Sequence, residues 1–243
     1  MQEAVATAHT EQANILLGVA EQLKVPLSII ARQVELAQLT GAPAAADIAA
    51  MGVQASAAMT LVDSYVLGLE LLNEQVRLEL EPVSVSSVLA DTAHELYGYA
   101  RMHNVYLDLH MAGKYGPVMA HARGLRAALL SLGYELIAAQ ITSSNSNSAP
   151  RLIMAAHRTP QGGIAAGLYG QYQELNTAAW RQSIRLHGRA VQPLAALSAG
   201  SSAGLFVADT ILQAMATRLR VAKHRKQSGL ATTLQPSRQL AFV

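Results

Sequence analysis

The stretch that decides the reading is Glu21-Gln22-Leu23-Lys24-Val25-Pro26-Leu27-Ser28, set inside a heptad pattern. Working outward from it, the apolar positions run Leu16, Ala20, Leu23, Leu27, Ile30, Val34, Ala37. Their alternating steps of four and three residues are those of a coiled-coil seam. Gly41 and Pro43 interrupt the pattern, as a helix stop and a helix start do. It resumes as Ile48, Met51, Ala55, Ala58, Val62, Tyr65, Leu69, Leu72. Two long helices joined by a short turn are expected to pack antiparallel. A lone hairpin leaves apolar surface wet, so a homodimer through residues 12–74, a four-helix bundle, is expected. The alternative is that the hairpin packs on the second unit of its own chain. Pro26 removes a backbone hydrogen bond within the first helix, at a cost of about 3 kcal/mol.

Charge divides the chain at the same scale. Residues 1–80 hold 3 basic and 9 acidic side chains, whereas residues 81–243 hold 15 basic and 7 acidic, for a net charge of +2. A boundary near Glu81-Pro82 is therefore expected, with a helical unit at 1–80 and a second unit at 81–243. The 243 residues contain no cysteine, which excludes disulfides, thiol nucleophiles and zinc–thiolate sites. No uncharged apolar run is long enough to suggest a membrane span. The opening residues have neither the basic start nor the apolar stretch of a secretory leader. A cytoplasmic protein, or the cytoplasmic piece of a larger one, is expected.

Beyond residue 81 the periodicity predicts a helix over 86–103, a strand over 105–109, a helix over 122–140, and strands over 151–156 and 163–168. A helix over 204–216 and strands over 218–223 and 229–235 follow. Gly113 and Gly116-Pro117 mark a turn, and 142–147 a polar loop. The fold class expected is α+β: a helical hairpin followed by an α/β two-layer sandwich.

The motif at residues 21–27 resembles the acceptor motif of the sensor histidine kinases, His-Glu-Leu-Arg-Thr-Pro-Leu. Leu23, a basic residue at Lys24, Pro26 and Leu27 are kept. The family's phosphorylated histidine falls on Glu21 and its adjacent acid on Gln22. The second unit is similar to that family's ATP-binding domain in the order of its elements. The resemblance places the metal-ligating asparagine at Glu135, within Ser131-Leu132-Gly133-Tyr134-Glu135-Leu136. The adenine-reading aspartate falls on Ala166 in Ala166-Gly167-Leu168-Tyr169-Gly170, and no Asp or Glu occurs between Glu135 and Glu174. The phosphate-cradling glycines correspond to Gly200 and Gly204 in Gly200-Ser201-Ser202-Ala203-Gly204-Leu205.

With all these positions changed, the resemblance implies a pseudo-histidine-kinase with no catalytic residue, no cofactor and no metal, not an enzyme. Glu135 could ligate magnesium as a hard oxygen donor, but it adds negative charge where a triphosphate would lie. The exposed positions of the first helix, Glu21, Lys24, Ser28 and Arg32, imply docking of a response-regulator receiver domain. The other hypothesis is an atypical ATP-dependent kinase or phosphotransfer protein with a non-standard acceptor.

The basic run Arg218, Arg220, Lys223, His224, Arg225, Lys226 reads as one charged face of a hairpin. It lacks the neighbouring aromatics that stack on bases, so nucleic acid is not favoured. The eight histidines show no helical ligand spacing such as His-x-x-x-His.

Overall fold

The computed structural model describes residues 23, 26–39, 45–111, 113–143, 149–172 and 203–237. Residues 26–39 form helix α1, with Pro26 buried and Leu23 helical before it. Helix α2 (Ala45–Leu72) follows, then β1 (Glu81–Val83), α3 (Val85–Met102), β2 (Tyr106–Met111), β3 (Val118–Ala120) and α4 (Ala122–Ser143). The chain continues through β4 (Arg151–Arg158), β5 (Ile164–Gly170), α5 (Ala203–Ala214), β6 (Arg220–His224) and β7 (Gln227–Leu234). The fold is α+β, a helical layer on a mixed sheet.

Local chemistry sets several of the boundaries. Ser84 caps α3 by accepting a hydrogen bond from the Ser87 N–H. Asn104 takes the left-handed conformation (φ 56°) as the chain leaves that helix for β2. The His121 Nδ1 accepts from the Gly124 N–H and closes the first turn of α4. Arg225 takes φ 55° in the two-residue turn between β6 and β7, the backbone such a hairpin needs.

The five-stranded sheet runs β2-β4-β5-β7-β6, with β2 parallel to β4 and the remaining pairs antiparallel. Strands β1 and β3 form a separate antiparallel pair, joined to the sheet's end by a bridge between Val118 and Pro236. Alternation within each strand divides the sheet's faces. Leu152, Met154, Ala156, Ala166, Leu168, Leu230 and Leu234 point into one core with Leu125, Leu132, Leu136 and Ile137 of α4. Ile153, Ala155, Tyr169, Ala222 and Ala231 form a smaller cluster on the other face.

Helix α2 belongs to the main core. Ala57, Leu61 and Tyr65 are buried there, one face of a 3.6-residue period. A Cβ placed on Gly68 would meet Val207 of α5 at 3.2 Å. The expected seam is therefore divided: Ala58 and Tyr65 are buried on this chain, while Ile48 and Val62 remain exposed. The physical reason is that α4 and α5 offer α2 an apolar surface on its own chain. Residues 47–72, which include Asp47, Asp63 and Glu70, are long and apolar enough to cross a membrane by length and composition alone (mean hydropathy 1.3), and a third of the apolar window is buried inside the protein. Among the described residues the expected helices and long strands are present, the first helix over 26–39 with its earlier part outside them; β1 and β3, three residues each, are additional.

Candidate functional site

Two of the residues singled out from the sequence meet. Glu135 lies on the inward side of α4, between Leu132 and Leu136, and is 8% exposed. Its Oε1 accepts a hydrogen bond from the Gly204 N–H at 2.9 Å. Gly204 stands in the first turn of α5, where backbone N–H groups lack intrahelical acceptors and the helix dipole favours an anion. The contact is close. A Cβ on Gly204 would lie 2.7 Å from the Glu135 Cγ and 3.1 Å from the Ser131 carbonyl oxygen.

Burial pushes the Glu135 carboxyl up to about 7, against the opposing pull of the Gly204 N–H. Tyr65 of α2 and Tyr99 of α3 are near enough to feel the same charge. Burial first, and the Glu135 charge second, raise both phenols, Tyr99 to about 12. The Tyr172 hydroxyl donates to the Leu136 carbonyl at 3.1 Å, fixing the end of β5 against α4.

Ala166 is fully buried on β5, opposite Ala156 and Thr232, and forms part of the main core. Gly170 ends the same strand opposite Ser228. Ser28 and Arg32 are exposed on α1, one turn apart, on a different element from Glu135 and Gly204. Glu21, Gln22, Lys24 and Gly200 lie outside the described residues.

Sequence reasoning passed over Asp209. It is buried on α5, where Oδ1 accepts from the Leu219 N–H and Oδ2 from the Gln213 amide, both at 2.8 Å. It thereby ties α5 to the start of β6. The spacing Asp209–Gln213 was the one local signal. A cleft of about 710 Å³ lies elsewhere, between α2, α3 and the start of α4. Thr60, Asp63, Glu70, Arg77 and Arg126 line it; inside it Glu95 pairs with Arg126 and accepts from the Thr60 hydroxyl.

The family resemblance implies an adenine nucleotide with magnesium. Ala166 offers the adenine amino group no acceptor, and the Gly204 N–H, which would face a phosphate, is already held by a carboxylate. The described residues do not fit a nucleotide bound in that family's manner.

No family model matches the chain, and no curated protein matches it. Solved structures do. The histidine kinase AdeS of Acinetobacter baumannii superposes with a TM-score of 0.51 at 15% identity, covering 88% of this chain and 96% of that one. The histidine kinase ThkA, in complex with the response regulator protein TrrA, superposes with a TM-score of 0.53 at 10% identity, covering 89% of this chain and 59% of that one. These neighbours correct one expectation. They are kinases, and hence enzymes, and the expectation that this chain is not an enzyme does not stand against them. Architecture, element order and these superpositions agree: the chain has the fold of the sensor histidine kinases.

Proposed function

We propose that the chain is a histidine-kinase-like signalling protein of the cytoplasm whose partner is a response-regulator receiver domain. In this reading residues 1–80 form the dimerising and docking part, through 12–74, and residues 81–243 the sandwich. The observation that carries it is the exposed face of α1, with Ser28 and Arg32 one turn apart, on a chain with this fold. Exposed apolar side chains on the same hairpin, Leu27, Val34 and Leu39 on α1 and Ile48 and Met59 on α2, support self-association. Lys24 and Glu21 extend the docking face in sequence.

The test is calorimetric titration of the full chain with receiver domains, with and without Arg32→Glu. A complex lost in that variant, whose fold is unchanged, is the expected result. Receivers that all fail to bind the unaltered chain would overturn the reading. Sedimentation of the same sample reports the dimer.

A second reading, an atypical ATP-dependent phosphotransfer protein, draws its support from the kinase neighbours that share the fold and not from Glu135, whose carboxylate is taken up by the Gly204 N–H. Transfer of label from γ-labelled ATP, to the chain or to a receiver, is its test. Absence of transfer under conditions that phosphorylate an active kinase removes it.

A further inference from the structure

We propose that the outer edge of β2 pairs with the same edge of a second copy of this chain, antiparallel and centred on Leu109, so that one sheet continues across two chains. The strand lies outside residues 12–74, and the inference does not rest on the proposed function.

Strand β2 ends the five-stranded sheet, with β4 on its inner side and no strand beyond it among the described residues. The Tyr106 N–H donates to the Pro150 carbonyl at 2.8 Å, so Tyr106, Asp108 and His110 turn their backbone groups toward β4. Those of Leu107, Leu109 and Met111 therefore point outward, to the open edge. Such a row of donors and acceptors is a template for another strand.

The two edges of the sheet are guarded differently. Strand β6, at the far end, carries exposed Arg220 and Lys223, with exposed Arg218, Arg225 and Lys226 beside them. Two copies meeting there would oppose cation to cation. Strand β2 runs six residues with no Lys, Arg, Pro or Gly. Its one acid, Asp108, is already paired with Arg151 of β4. Leu109 and Met111 are 37% and 40% exposed along this unguarded edge.

The strand is also complementary to itself. Leu107 packs on the main core, so alternation puts Leu107, Leu109 and Met111 on the helix side of the sheet, and Tyr106, Asp108 and His110 on the other. A two-fold axis at Leu109 sets Leu107 opposite the partner's Met111 and Leu109 opposite the partner's Leu109. On the other face it sets Asp108 opposite the partner's His110, a carboxylate against an imidazole donor. Pairing odd with even positions would set outward backbone groups against inward ones and form no ladder. An axis at Asp108 would put two carboxylates directly opposite each other, which is destabilising. Axes nearer either end leave more of the strand unpaired.

The test uses the full chain, which has no cysteine of its own. Opposed residues of a hydrogen-bonded antiparallel pair stand about 5.5 Å apart at Cα, within reach of a disulfide. Leu109→Cys should therefore give a disulfide-linked dimer on mild oxidation, and Lys223→Cys, on the other edge, should not. In the unaltered chain, raising the protein concentration should slow hydrogen exchange at the Leu107, Leu109 and Met111 amides together, a readout that needs no variant. Leu109→Lys should weaken this association about tenfold or more. A dimer held through the hairpin alone would neither link the Leu109→Cys chain nor protect these amides, and that result overturns the pairing. Equal linkage of both cysteine variants overturns it too. So do amides protected at every dilution without linkage, since the chain would then cover its own edge.

Discussion

The Glu135 carboxylate and the Gly204 amide, 69 positions apart in sequence, share a 2.9 Å hydrogen bond that pins the first turn of α5 to α4. The carboxyl that makes it is buried and raised to about 7 from 4.5. A carboxyl raised on folding binds its proton more tightly in the native state. Its favourable contribution is full below the unfolded value near 4.5 and is lost as pH rises through about 7. The loss amounts to roughly 3 kcal/mol at 1.36 kcal/mol per unit. Glu135→Gln keeps an acceptor for the amide and removes the charge. Denaturant melts from pH 4 to 8 should show the native chain losing stability across that window relative to the variant.

Gly204→Ala should destabilise by about 1–3 kcal/mol, because the new methyl overlaps Glu135 and the Ser131 carbonyl. Glu135→Ala in the same chain clears the side-chain half of that overlap. A double-mutant cycle in urea should therefore give a coupling of the two changes well above 0.5 kcal/mol.

Leu61→Ala, on α2, should cost about 2–5 kcal/mol and lower the melting temperature of the whole protein in a single transition. Leu61 lies in the same core cluster as Leu136 and Leu168. Two separated transitions in calorimetry, with only one displaced, would contradict the shared core.

Asp209→Ala should cost about 2–3 kcal/mol, since two hydrogen bonds to a buried carboxylate vanish. Asp209→Asn, which retains a carbonyl oxygen for the Leu219 N–H, should recover part of that loss. Hydrogen exchange at the start of β6 reports the same contact directly.

The helices and long strands were legible because their periods are strong: α3 begins within one residue of its expected start, and α4 begins at it. Strands β1 and β3 were not, because three residues cannot display a period and their pairing is long-range. The seam on α2 was half legible. Heptad spacing identifies an apolar face but not the surface that covers it, and here Tyr65 lies in a core shared with residues of α4 and α5. Alignment to the motifs placed Glu135 and Gly204 at corresponding helix positions, yet could not show that one holds the other. The approach of His224 to both His110 and His157 was invisible for a different reason: residues gathered from three strands carry no local spacing at all.

Tyr65 gives the packing of α2 a mechanical meaning. Because Ala57, Leu61 and Tyr65 are buried in the same core as Leu136 and Leu168, a turn of α2 about its axis has to break contacts inside the sandwich itself.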